Sequence, residues 1–218
     1  MLVLEEIYRT KKNEFSAAFN LRMQRSLSWW KKAIALHDDI DLQFMSTWVA
    51  LNALYAQGKA AEQEQQTLQQ FAFRVYQKDV DQRISRILWE KHPQSLEVLL
   101  TNPYLCQSFW DWRNQKISEG TWRTDFESEK QHIMQALHTH DSASILSFVF
   151  KRLSTLHQQL VQGGATYNSA INRKQLSHAS LLLSALLPCF VRILMAFGKA
   201  VQSPALYPGQ RSIRRIFR

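Results

Sequence analysis

Glycine, proline and cysteine are scarce in this chain, at six, five and two of 218 residues. Long Leu-, Gln-, Ala- and Arg-rich stretches with apolar residues three and four apart occupy the sequence instead, which excludes a βαβ alternation and favours helix almost throughout. The two cysteines, Cys106 and Cys189, sit in apolar helical runs with no further Cys or His at ligand spacing. That pattern offers neither a disulfide framework nor a zinc site, so buried thiols in a reducing compartment are expected, with no metal and no cofactor. The opening stretch, residues 1–15, lacks the basic start, long apolar middle and small-residue cleavage site of a secretory signal, and a cytoplasmic location is the expectation that follows. The most apolar stretch, residues 181–197, is interrupted by Pro188 and Arg192 and is shorter than the ~20 residues of a membrane span. It predicts a buried bundle helix kinked at Pro188, with no membrane partner.

Acidic side chains are what the last third lacks. The chain holds 27 Lys and Arg against 18 Asp and Glu, a net charge of +9, and the surplus is local: residues 1–140 carry 17 of each sign, while residues 141–218 carry ten basic residues and one acid, Asp141. Such one-sided charge fits a polyanionic partner, nucleic acid first. Part of it lies in the tail, residues 201–218, where Arg211, Arg214, Arg215 and Arg218 sit in and after a Pro/Gly-containing stretch. The tail reads either as a flexible phosphate-binding arm or as a disordered end.

Residues 1–200 are expected to form one all-α domain, with 60–140 as inserted or elaborated helices. Asn13 is a candidate cap for a helix over 14–36 with Phe15, Ala18, Phe19, Arg22, Met23, Leu27 and Trp30 on one face, broken by Asp38 and Asp39. A second helix over 40–57 carries Phe44, Trp48, Leu51 and Tyr55 and stops at Gly58. The Gln-rich segment 60–70 reads as the exposed start of a third helix continuing through Phe73 and Tyr76. His92-Pro93, Asn102-Pro103 and Ser118 to Gly120 break the middle into short helices, one of them aromatic with Phe109, Trp110 and Trp112. Those rings, with Arg113, fit core packing or base stacking. A further helix begins at Asp141 or Ser142, with Leu146, Val149, Leu153, Leu156 and Leu160 as its seam, and stops by Gly163-Gly164. The polar loop ATYNSAINR follows, and helix resumes at Gln175 and runs through Ala200.

The run LHQQLVQGGATYNSAINR, residues 156–173, resembles a signature of the HEPN superfamily, in its bacterial branch near ApeA-like domains. The matching positions are Leu156, Gln159, Leu160, Gly163, Gly164, Ala165, Thr166, Asn168, Ser169, Asn172 and Arg173, with Tyr167 in the aromatic place. Asp39, Asp41, Phe44, Trp48, Asn52 and Tyr55 resemble the same branch earlier in the chain. The resemblance implies a HEPN-like antiparallel bundle and metal-independent RNA cleavage by an Arg, a polar residue and a His in an Arg-x(4–6)-His motif, assembled in a homodimer. Such residue types suit the reaction, because histidine moves protons near neutrality and arginine holds phosphate charge.

At the matching positions this chain has His157, Gln158 and Gln162. Glutamine exchanges no proton at physiological pH, and loss of a general acid or base typically costs about 10²–10⁴-fold in rate. Arg152 with His157, Arg173 with His178, and Arg86 with His92 satisfy the motif spacing elsewhere, but roughly 1.4 such pairs arise by chance in this composition. Residues five apart on one helix also point about 140° away from each other. Three readings stay open. A degenerate HEPN-like protein would bind RNA through Arg152, His157, Asn168, Asn172, Arg173, Arg211, Arg214 and Arg215, or bind a protein such as a nucleotidyltransferase or a toxin, in a defence or toxin–antitoxin setting. An active ribonuclease would use Arg152, His157 and Arg173 in a rearranged dimeric site. In the third reading the loop only shapes a helical interaction protein, with Gly163-Gly164 as helix stop and Asn168, Asn172 and Arg173 as cap and bundle hydrogen bonds. His157 by itself reads either as a phosphate or base contact when protonated or as a solvated helix-end side chain favoured by the helix dipole.

Overall fold

The computed structural model describes residues 2–55 and 61–197, all in helices and the connections between them, with no strand among the described residues. In chain order the helices are α1 Leu2–Lys11, α2 Ala17–Ala35, α3 Ile40–Tyr55, α4 Ala61–Tyr76, α5 Arg83–Arg86, α6 Pro93–Leu100, α7 Gln107–Arg113, α8 Glu119–His138, α9 Ser142–Val161 and α10 Arg173–Phe197. The chain divides into two compact units, Met1–Phe71 with Leu187–Arg218, and Ala72–Leu186. Both divisions fall inside helices, α4 and α10, and neither coincides with the 60–140 limits suggested by the sequence.

In the first unit, α2 is capped by Ser16 and not by Asn13. Ser16 is extended, at φ −63° and ψ 156°, and its Oγ accepts the Phe19 N–H at 3.2 Å, while Lys12–Glu14 wind into a separate 3-10 turn. Asp39 ends the connection by accepting the Leu42 N–H at 3.0 Å, which starts α3. Phe19, Met23, Leu27 and Trp30 of α2 and Phe44, Trp48, Leu51 and Tyr55 of α3 are buried, as their spacing predicts. Arg22 lies on the same face, and its Nη1 donates to the Leu54 carbonyl at 3.1 Å, which makes a guanidinium tolerable between two apolar helices. Tyr55, Phe71 and Phe190 continue this core, with ring centroids 5.5 and 5.9 Å apart. On α4 the polar start is not wholly exposed, since Thr67 and Leu68 are both buried.

In the second unit the breaks fall where proline and polar caps put them. Pro93 opens α6, Asn102 Oδ1 accepts the Tyr104 N–H at 2.9 Å ahead of the 3-10 turn Pro103–Leu105, and Ser118 caps α8. Gly120 therefore sits in the first turn of a long helix and ends nothing. The aromatic helix α7 has no fully buried residue: Phe109 packs edge-on against Tyr104, Trp110 and Trp122, and only Trp122, from α8, is deeply buried. Asp141 caps α9, its Oδ1 accepting the Ala143 and Ser144 N–H groups and its Oδ2 the Ser144 hydroxyl. Leu146, Val149, Leu153 and Leu156 are buried as the seam requires, while Leu160 is half-buried.

α8 and α9 run antiparallel. Glu129 on α8 pairs with Lys151 and Arg152 on α9, each partner lying roughly three turns from the connection between the helices. Both cysteines are buried thiols, and Cys106 Sγ lies 3.6 Å from Glu129 Oε2. α10 is close to the helix expected from Gln175 through Ala200: it has 25 residues, continues through Pro188, and has a mean hydropathy of 2.1 over its most apolar window. By length and composition it is able to cross a membrane, and 61% of that window is buried inside the protein, as for a core helix.

Candidate nucleic-acid interface

The end of α9 is a Schellman turn, and its hydrogen bonds explain both glycines. The Gly163 N–H donates to the Leu160 carbonyl at 3.3 Å and the Gly164 N–H to the Gln159 carbonyl at 2.7 Å, satisfying carbonyls that a helix end would otherwise leave bare. Gly163 has φ +73°, the left-handed region that a side chain disfavours. Gly164 needs its bareness for another reason: a Cβ there would sit 3.1 Å from the Gln159 carbonyl oxygen.

Upstream of that turn, the residues expected to do chemistry are placed very differently from one another. Arg152, a proposed catalytic or RNA-contacting residue, is 1% exposed. Its Nη1 lies 2.8 Å from Glu129 Oε2 and also reaches the Leu105 carbonyl at 3.5 Å, so its charge is spent in the core and not offered to a phosphate. This corrects the RNA-contact assignment, and the physical reason is the carboxylate of Glu129. Burial alone would raise that carboxyl, but the Arg152 charge and the Lys151 hydrogen bond outweigh it and hold it below its usual range. His157, five positions along the same helix, is half-buried, and desolvation pushes its pKa down to about 4. It is therefore neutral at pH 7, neither a protonated phosphate contact nor a solvated helix-end histidine held charged by the helix dipole. Gln158 is half-buried and Gln162 exposed.

Beyond the turn the polar loop stays at the surface. Asn168 is left-handed, with φ +56°, and its Oδ1 accepts from Arg173 Nη2 at 2.9 Å, which ties the loop to the start of α10. The Asn172 carbonyl accepts the Leu176 N–H at 3.0 Å as the first turn of α10 forms. Tyr167 and Ile171 are 65% and 86% exposed. The end of α9 is linked to the Pro103 turn, because the Tyr104 carbonyl accepts from both Gln159 Nε2, at 2.8 Å, and Trp110 Nε1, at 2.7 Å.

That turn forms one wall of an open cleft of about 510 Å³, completed by α6 and the start of α10. Glu97, Tyr104, Lys174, Gln175 and His178 line it, all from the second unit. His178 Nδ1 lies 3.1 Å from the Ser95 hydroxyl, which fixes the ring. Tyr104 is 52% exposed, and Lys174 is exposed with no carboxylate at ion-pair distance among the described residues. Of these the sequence singles out only His178, by its spacing from Arg173; Glu97 and Lys174 are not legible there, since 77 positions separate them and no motif joins them.

Placing the basic residues reduces the surplus of the last third. Glu129 pairs with both Lys151 and Arg152 and leaves that group one net positive charge, and Arg211, Arg214 and Arg215 lie outside the described residues together with Lys199 and Arg218. Arg173, Lys174 and Arg192 remain, the first two beside the loop and cleft. Among the described residues no group of three His, Cys, Asp or Glu side chains is arranged to hold a metal ion. Comparison with protein-family models, with curated proteins and with solved structures finds no match to this chain.

Proposed function

We propose that this is a HEPN-like protein whose inherited RNA-cleaving chemistry is disabled and which binds single-stranded RNA at the end of α9, the 163–173 loop and the adjoining cleft. The observation that carries the reading is on α9: the one arginine at motif spacing from His157 is held in the core by Glu129, and His157 itself is neutral. A cleavage site needs a group that titrates near the working pH and a cation for the phosphorane. Neither Gln158 nor Gln162 supplies one. Arg173, Lys174 and exposed polar loop residues nevertheless remain beside an open cleft, a surface suited to a phosphate chain and unstacked bases. The protein acts as a homodimer or with a protein partner, such as a nucleotidyltransferase or a toxin, in a defence or toxin–antitoxin setting.

Filter binding of labelled single-stranded RNA over a salt series tests this. Binding should weaken with salt, with a log–log slope of about −0.7 per phosphate neutralised, and the slope should flatten when residues 201–218 are deleted. The same RNA incubated in EDTA should stay intact, whereas cleavage that His157→Ala abolishes would establish a working ribonuclease. The Schellman turn and the Asn168–Arg173 bond favour a second reading, in which the loop only shapes the fold. Absence of binding at low salt would leave that reading standing.

A further inference from the structure

We infer that the cleft between α6, the Pro103 turn and the start of α10 is a pocket for one guanosine phosphate unit of an RNA strand, with Glu97 reading the base, Tyr104 stacking on it and Lys174 holding the phosphate. The inference rests on the reading of the chain as an RNA binder and names what the binding site selects. The cleft's volume, about 510 Å³, lies within the roughly 300–1,000 Å³ usual for small-ligand sites. Its chemistry is dipolar. Lys174 is exposed in the first turn of α10, where backbone amides lack intrahelical partners and the helix dipole favours an anion. Glu97 comes from a different helix, α6, and is likewise exposed without an ion-pair partner among the described residues.

A phosphate alone has no use for Glu97, which would repel it. A nucleotide whose base offers hydrogen-bond donors uses both charges that line the cleft. Guanine presents two adjacent donors, N1–H and the N2 amino group, to a carboxylate's two oxygens; adenine and cytosine present one amino donor beside an acceptor, and uracil one imide donor between two acceptors. The Tyr104 backbone is fixed by bonds from its N–H to Asn102 and to its carbonyl from Gln159 and Trp110, its ring packs edge-on with Phe109, and the exposed ring supplies a stacking platform that any base accepts. Gln175, half-buried and next to Lys174, lines the same cleft.

Titration calorimetry of the full chain with GMP, AMP, CMP and UMP tests the pocket, and oligo(A) RNA with and without one central G tests its source. GMP should bind about five- to a hundredfold tighter than AMP, the discrimination of one good bidentate contact. Glu97→Gln should erase that preference, while Lys174→Ala should weaken all four nucleotides alike. Both side chains are exposed, so circular dichroism melts of the variants should match the parent. The G-containing oligomer should bind more tightly than oligo(A), and Glu97→Gln should remove the difference. Four indistinguishable nucleotides, or a guanine preference untouched by Glu97→Gln, would overturn the pocket. If RNA binds regardless of the central G, the pocket fails and the RNA reading survives. If GMP binds selectively and no RNA binds at low salt, the RNA source is overturned and the occupant is a free nucleotide.

Discussion

Replacing Glu129 with glutamine tests the burial of Arg152 most directly. The guanidinium is 1% exposed and its counter-charge lies 2.8 Å away, with Glu129 itself only 8% exposed. Glu129→Gln keeps the volume and deletes the charge, leaving Arg152 with a 3.5 Å contact to the Leu105 carbonyl and no anion. Breaking a buried pair from one side costs about 3–5 kcal/mol, because the surviving charge stays desolvated. Lys151, the other partner, is more exposed and adds little. A loss of that size lowers Tm by roughly 6–20 °C in a protein of this length. Arg152→Met should cost less, since Lys151 still satisfies Glu129, and the double variant Glu129→Gln with Arg152→Met should recover most of the deficit by removing the orphaned charge. The acid limb adds a signed check. Glu129 has a folded pKa below its ordinary 4.5, so the pair's contribution is complete above that value and disappears as pH falls through the lower folded one; Glu129→Gln should flatten this limb. Urea and thermal melts of the four proteins from pH 3 to pH 7 measure all of this. A loss below about 1 kcal/mol for Glu129→Gln, or a double variant no more stable than the single, would refute the buried pair.

His157 and the glycine turn give two smaller predictions. His157 should titrate near 4 by NMR, and because its folded pKa lies below the ordinary 6.5, its neutral form contributes stability that is complete above about 6.5 and lost as pH falls toward 4; a midpoint near 6.5 would mean that the ring is solvated. Gly163→Ala should lower the urea-derived stability by roughly 1–2 kcal/mol, since φ +73° strains a side chain, and Gly163→Asn should lose less because asparagine visits that region. Gly164→Ala should also destabilise, by pushing on the Gln159 carbonyl 3.1 Å from its new Cβ, and equal stability in all three variants would remove the Schellman account.

Much of the fold was legible because burial has a period. Phe44, Trp48, Leu51 and Tyr55 on α3, and Leu146, Val149, Leu153 and Leu156 on α9, are buried where three-and-four spacing puts them. Helix starts were less legible, since Asn13 and Ser16 are both good caps by type. The choice went to Ser16, which is extended, as a cap must be, while the chain around Asn13 curls into a 3-10 turn. The aromatic run at 107–113 misleads for a different reason. Ring content signals stickiness, but α7 is short and packs its rings mainly against one another and Trp122, so none of its residues is fully enclosed.

The site was less legible than the fold because charge in a sequence is counted and charge in a structure is paired. Arg152 counted toward a basic surface until Glu129, 23 positions earlier and on another helix, took it into the core. The loop signature has a similar ambiguity. Gly163 and Gly164 are there because a helix end needs a left-handed residue and a bare one, and Asn168 and Arg173 bond to each other across the loop. Residues that a helix terminus requires on geometric grounds testify to the shape of the chain, whatever that chain does. Testimony about a reaction has to come from groups that move protons or hold a phosphate, and next to this turn those places hold two glutamines and a histidine already neutral at pH 7. A functional claim for the same segment therefore stands on Lys174, Tyr104 and Glu97 at the neighbouring cleft, side chains that no helix end requires.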